Sequence, residues 1–536
     1  MTPYLLLIAM SATADDRIDV AVDPRVELIS IVCRLAGFPE YNQAPDSSWL
    51  KAVDAQFGPY RDHAAVKETK KLRGKYGISY DAPISLALHL DADTWQPRMP
   101  LSPMPRRLDS RWDGNHTEKY IAQLGQFARD ARFADFLERE QETLDGIEAR
   151  YRRWIGQLDV IDWFDEIFGP IEGVTYTLHP GLLTGPHNYG VSVRLDDESL
   201  EIRPVLGVDV MDERGMPAIA DADPWVLVHE IAHAYVNPLF ARHEAQLSVG
   251  GQAAYRKVAT RMKATAYGSW ETVANESGVR AATVLYARDH LGDIGVGPTA
   301  SRDIARGFDW ILPMAEALDT YRTEHSTGLE GFPAVAGKVL LEWSATEPQP
   351  PYLGPLNAFP KGKNTVMVLP NTTDDPASIS AQMYTMSMHE NFWAKEKVAL
   401  VGADDSAGSG GKTRVYYGTP ATNPPLAALL NRLDWRVEAD GVSLGTQRLQ
   451  GEHLSLIATT VDPEDGLPTQ VYAAFDSEGI EGINSAFHGP TDWVVARRGP
   501  DGQFEVVDSG HFPKDLKGKW SNPIEVTDPP VSPDQE

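Results

Sequence analysis

Two histidines and a glutamate stand together in His229-Glu230-Ile231-Ala232-His233. Residues four apart on a helix lie on one face, one turn apart, so the imidazoles of His229 and His233 can reach a single Zn2+. Glu230, beside that face, is placed to act as general base toward a water activated by the ion. The bland alternative is a core helix with two hydrogen-bonded histidines. Two imidazoles and a carboxylate in so apolar a stretch are costly unless something compensates them. A catalytic zinc keeps one open position beside three protein ligands, so the chain must supply a third. A histidine six residues beyond His233 would complete a three-histidine set, but position 239 is Leu. The remaining option is a carboxylate on a later helix. Glu276, 43 residues beyond His233, is the choice. The small neighbours Ala274 and Gly278 let its helix come close, and Arg280, one turn on, can hold its second oxygen. Glu271 is the competitor. In the reaction these residues suit, Glu230 takes a proton as the water attacks a carbonyl and hands it to the leaving amine. The oxyanion needs a donor besides the metal. Tyr267 is the first choice, with Tyr235, Tyr286 and His187 behind it.

The elements that must position these groups follow from periodicity. Val226, Leu227, Val228, Ile231 and Ala232 make the motif an apolar helix, with Asp223 as cap and Pro224 in the first turn. Pro238, after Asn237, is expected to end it. Residues 174–178, 191–195 and 200–210 alternate with period two, and 196–199 form a turn, so a small sheet directly precedes the helix. Its strand at 189–195 is the candidate edge that could hold an extended peptide by backbone pairing. Before the sheet the chain is helix-rich, at 26–36, 48–57, 118–155 and 160–168. After the motif, helices are expected at 255–262, 270–288, 301–321 and 332–343. The Pro-rich stretch 345–360 is the best domain boundary. Beyond it, strand-like runs at 366–369, 398–402, 414–417, 454–459, 470–475, 493–496 and 504–507 alternate with helices at 377–392 and 425–433. That texture predicts an α/β domain with a partly parallel sheet.

Composition bounds the function. The chain has 536 residues and a formal net charge of −27, which argues against nucleic acid or an anionic membrane surface as partner. No stretch reaches the roughly 18 apolar residues of a membrane span. Cys33 is the one cysteine, so no internal disulfide is possible, and its apolar setting reads as a buried small hydrophobe. Residues 1–14 read as a signal-peptide remnant, an apolar run at 4–10 followed by Ala12-Thr13-Ala14, which predicts a secreted or periplasmic protein. Residues 521–536 read as a disordered tail.

With His229-Glu230-x-x-His233 and Asn275-Glu276 in view, the central part resembles the gluzincin branch of zinc peptidases. More narrowly, residues 18–345 look like a bacterial family catalogued only as a domain of unknown function. The matching features are Val26-Glu27-Leu28-Ile29-Ser30-Ile31, Arg34-Leu35-Ala36-Gly37, Asp162-Trp163-Phe164 and Asn188-Tyr189-Gly190. To these are added the His-Glu helix followed by Asn237-Pro238, and Glu276 with Val279-Arg280-Ala281. The resemblance implies a zincin-like fold, one zinc ion per chain held by His229, His233 and Glu276, and Glu230 as base. It implies no particular substrate. The gap before Glu276 is longer than in the best-known gluzincins. Residues 415–520 are similar to an α/β region accompanying some secreted esterases and prolyl-oligopeptidase-like enzymes. That likeness rests on Tyr417-Gly418-Thr419-Pro420 with Asn423, on Gly482-Ile483-Asn484, on Asp492-Trp493-Val494-Val495 and on Gly510-His511-Phe512. There is no Gly-x-Ser-x-Gly elbow, so a serine-hydrolase reading has nothing to attach to, and His389, His488 and His511 read as structural. The fold expected is an α+β zincin-like metallopeptidase domain over 15–345, with a small sheet before the His-Glu helix, then a separate α/β domain over 346–520. The function expected is an exported zinc peptidase acting on a peptide or protein substrate. The alternatives are a zincin-fold scaffold without catalysis and a zinc hydrolase of a non-peptide amide or ester.

Overall fold

A computed structural model describes residues 17–219, 224–264, 267–325, 328–405, 410–486 and 488–520. The expected signal remnant, the cap Asp223 and the tail at 521–536 lie outside the described residues. The chain is a mixed α+β protein of two compact units, 1–245 with 321–333, and 246–320 with 334–536.

The first unit runs β1 (Ile18–Val20), α1 (Pro24–Leu35), α2 (Ser48–Phe57), α3 (Ala64–Tyr76), α4 (Asp81–Leu88), α5 (His116–Asp130), α6 (Phe133–Ile155), α7 (Val160–Phe168), β2 (Val174–Gly181), β3 (Tyr189–Arg194), β4 (Leu200–Gly207) and α8 (Trp225–Arg242). Asp23 starts α1 by accepting from the Arg25 amide at 2.8 Å, and Pro24 fits the first turn. Val26, Leu28, Ile29, Ile31, Val32 and Cys33 are all fully buried, so α1 is covered on every side. The helix-rich stretch at 118–155 is two helices, broken where Arg132 takes a left-handed φ of 54°. The sheet has the order β1-β2-β4-β3, with β1, β2 and β4 parallel and β3 antiparallel to β4. The strand expected at an edge is therefore at one.

α8 packs on β3, β4 and α7. It does not stop at Pro238, as the sequence suggests, but continues to Arg242. A proline inside a helix costs about 3 kcal/mol. Burying Leu239 and Phe240, the latter against Phe332, recovers roughly 1.5–3 kcal/mol each. Packing outweighs the local signal.

One buried acid in α1 makes stability depend on pH. Glu27 is completely buried; one oxygen accepts from the Leu182 amide at 3.1 Å, and the indole of the buried Trp49 lies near the carboxyl. Burial raises its pKa to about 8 against the pull of the Leu182 amide and the Trp49 indole, with a smaller push from Asp23. Between about pH 4.5 and 8 the folded chain therefore holds a proton that the unfolded chain has lost. Stability falls across that window as pH rises, by at most about 1.4 kcal/mol per pH unit from this group. Glu27→Gln is expected to flatten the decline and to unfold at higher denaturant than wild type at pH 8.5. Parallel stability curves for the two proteins from pH 5 to 8.5 would refute it.

The chain continues through α9 (Glu244–Ala264), α10 (Trp270–Leu291), α11 (Val296–Arg306), α12 (Ile311–Glu324) and α13 (Phe332–Thr346). Ser269 caps α10 by accepting from the Thr272 amide at 3.2 Å, and α10 is buried nearly throughout from Val273 to Ala287. The helix expected at 301–321 is broken at Gly307, whose φ of +107° favours glycine.

The rest of the second unit comprises β5 (Thr365–Leu369), α14 (Pro376–Met388), β6 (Ala399–Gly402), β7 (Thr413–Gly418), α15 (Pro424–Arg432), β8 (Trp435–Glu438), β9 (Gly441–Leu444), β10 (Gln447–Gln450), β11 (Leu454–Val461), β12 (Pro468–Ala474), β13 (Trp493–Arg498) and β14 (Phe504–Gly510). Its main sheet has the order β14-β13-β11-β12-β7-β5-β6. The β12-β7-β5-β6 half is parallel and the remainder antiparallel. α15 covers one face through Leu426, Leu429 and Leu430, and α14 the other through Ala381. Among the described residues no helix is long and apolar enough to cross a membrane.

Candidate metal centre

α8 divides its residues between packing and chemistry. Leu227, Val228, Ile231, Ala232, Tyr235 and Val236 are buried, whereas His229, Glu230 and His233 are half-buried along the opposite side. The His229 and His233 rings stand 5.0 Å apart between centroids and nearly perpendicular, at 88°. Ligand atoms of His229, His233 and Glu276 all lie within 4.8 Å of one another. The expected triad is thus drawn together. Glu271 lies exposed in the first turn of α10, outside this group.

The residues fit a divalent cation. Two imidazoles and one carboxylate are the donor chemistry of hydrolytic zinc sites. His233 Nδ1 lies 3.4 Å from Asn237 Oδ1, and a proton on Nδ1 leaves Nε2 with the lone pair a metal needs. Sequence reasoning gave Asn237 only a part in ending the helix; its spacing of four from His233 was the available signal. Arg280 Nη2 donates to Glu276 Oε2 at 2.9 Å, as the spacing of four predicts, and a carboxylate has a second oxygen to offer. Arg280 is itself anchored by Asp303, with both side chains almost fully buried. Burial opposes the guanidinium charge, but Asp303 and Glu276 more than offset it and hold Arg280 firmly protonated. Asp303 went unnoticed in the sequence because a contact 23 residues away leaves no periodic trace.

Tyr267 joins the same network. The Nη2 that holds Glu276 also donates to the Tyr267 hydroxyl at 2.9 Å. The Tyr267 ring meets Phe308 edge-on at 5.6 Å. Burial, and then the nearby Glu276 charge, raise the Tyr267 pKa, so the phenol stays protonated. The other oxyanion candidates point elsewhere. Tyr235 donates to Asp165 at 2.7 Å and meets the Tyr176 hydroxyl, also at 2.7 Å. Tyr286 stacks on His290, and His187 sits beside Gln43 and Tyr80.

Glu230 lies against the edge strand. A Cβ placed on Gly190 of β3 would stand 2.4 Å from Glu230 Oε2, far inside contact distance. Gly190 has no left-handed φ to require glycine. Its missing side chain is therefore the space the carboxylate occupies. The sequence marks Gly190 within a resembling motif without showing this use.

Residues 18–332 match the model of a family described as a domain of unknown function (DUF4932), a stretch that includes His229, His233 and Glu276. No curated protein and no solved structure matches the chain.

Proposed function

The chain belongs to this DUF4932 family, and we propose that it is an exported zinc-dependent peptidase with a zincin-like domain over residues 15–345. The observation that carries the reading is the convergence of His229, His233 and Glu276, with Glu230 beside them on α8 against β3. A bound zinc ion would supply Lewis acidity, lowering the pKa of a water toward about 7. Glu230 is placed to act as the base, which would take a proton from the attacking water and return it to the leaving amine. Tyr267 keeps its proton, and Arg280 fixes its oxygen, so it is suited to donate to the developing oxyanion. Among the described residues β3 pairs with β4 alone, and its other edge can add an extended peptide as a further strand. The experiment is metal analysis of the purified chain paired with peptide hydrolysis before and after a chelator. About one equivalent of zinc and chelator-sensitive cleavage are expected. Metal-free protein that hydrolyses peptides would overturn the reading.

Gly190→Ala tests how Glu230 is placed. The group in the way is the far end of a flexible side chain, so it can move at little cost to folding. A displacement of about 1 Å at a catalytic group can cost roughly 10²-fold in rate. The variant is expected to keep the wild-type unfolding midpoint and metal content and to lose kcat on that scale. Unchanged kcat would show that Glu230 has no need of the space.

A further inference from the structure

In a chain of net charge −27, α14 carries no ionisable side chain between Pro376 and Met388. One side of it faces inward, where Ser378, Ala381 and Thr385 are buried. The other side is bare. Ile379, Met383 and Met386 follow at steps of four and three, so they form one stripe, and they are 49, 66 and 40% exposed. Phe392, in the turn that ends the helix, is 61% exposed. Phe475, just before the turn Ser477–Ile480 that packs on α14, is 53% exposed. Single apolar side chains in solvent need no account, but five around one helix mark a docking surface. The two ends of the helix differ in charge. Asp374 and Asp375 precede it, and Asn371 donates to Asp404 at 2.9 Å, which brings Asp404 and its neighbour Asp405 to that end. At the other end Lys361 stands 5.2 Å from the centre of the Trp393 ring, with Lys363, Lys395 and Lys397 close by in sequence. Glu390 and Glu396 lie there too, so that end is +2 and the first is −4, and all these side chains are exposed. The 13 residues of α14 hold the two ends about 20 Å apart. That is more than twice the roughly 8 Å over which charges act at physiological salt, so each end meets its own neighbour.

We infer that this face binds a second copy of the chain, as a two-fold dimer in which the two α14 helices run antiparallel. The charges choose the occupant. An antiparallel copy sets the aspartates of each chain on the lysines of the other at both ends, while the uncharged stripe between them meets its like. A parallel copy would set acid on acid. The axis falls beside Met383: Ile379 then meets the second copy's Met386, and Met383 meets its own counterpart. Methionine side chains are flexible enough to interdigitate at such a seam. A seam one short helix wide lies at the low end of interface sizes, so association at about 1–100 μM is expected. The inference is independent of the peptidase reading, because α14 contributes nothing to the cluster of His229, His233 and Glu276.

The test is analytical ultracentrifugation of the full chain over about 1–100 μM. Wild type is expected to pass from monomer to dimer across that range. Met383→Glu and Met383→Lys each set like charges face to face at the axis, so each variant alone is expected to associate about tenfold more weakly or worse. Position 383 is in solvent in the monomer, so neither change disturbs folding. Mixed in equal amounts, the two variants are expected to regain the dimer. Only a seam that brings residue 383 against itself pairs the new carboxylate with the new ammonium. Wild type that stays monomeric to the top of the range overturns the inference and leaves the face to a different protein or a lipid surface. A dimer that survives both substitutions, or variants that stay apart when mixed, overturns it as well.

Discussion

Glu230→Gln is expected to retain the wild-type metal content and to turn over peptide substrate about 10²–10⁴-fold more slowly. The substitution keeps the shape of the side chain, so the space left by Gly190 is still filled and α8 has no reason to repack. It removes only the capacity to accept and return a proton. Glu230 is not one of the three residues whose ligand atoms cluster, so the metal should be untouched. Metal analysis and steady-state kinetics on the same preparation separate the two functions. Turnover near wild type with full metal would remove Glu230 from the mechanism, and loss of metal would make it a ligand.

Glu276→Ala is expected to strip the metal. Removing a hydrogen-bond partner behind a ligand typically costs roughly 10–100-fold in metal affinity, and deleting a ligand from a set of three should cost more. The protein should still fold. Arg280 keeps Asp303 and Tyr267, so its buried charge is not left alone. Glu276→Gln is the companion variant, because its amide oxygen can still accept from Arg280 while the negative charge is gone. The expected order of metal affinity is wild type, then Gln, then Ala. Zinc content unchanged in the Ala variant would move the third ligand elsewhere.

The parts of this site legible in the sequence are those set by helical spacing. His229 and His233 share a face because they are four apart, and Arg280 reaches Glu276 for the same reason. β3 could be picked out as a strand by its alternation. The rest depended on contacts that periodicity does not carry. Gly190 meets Glu230 only because β3 and α8 pack together, and Asp303 meets Arg280 only because α11 folds back on α10. Pro238 shows the opposite error, a strong local signal overridden by the burial of Leu239 and Phe240 just beyond it. The helix-rich stretch 118–155 and the helix expected at 301–321 are each interrupted at a residue in the left-handed region, Arg132 and Gly307, which an apolar stripe does not reveal. The β8–β10 meander escaped notice because each of its strands is only four residues long.

The vacancy at position 190 also makes a genetic marker. Nothing in the backbone of β3 demands glycine there; the demand comes from an acid on another element. Across related chains the two positions should covary, and any lineage that has abandoned glutamate at 230 is released to put a methyl or larger group at 190. Family members that lack the proposed base would then be recognisable from a pair of letters, before any of them is purified.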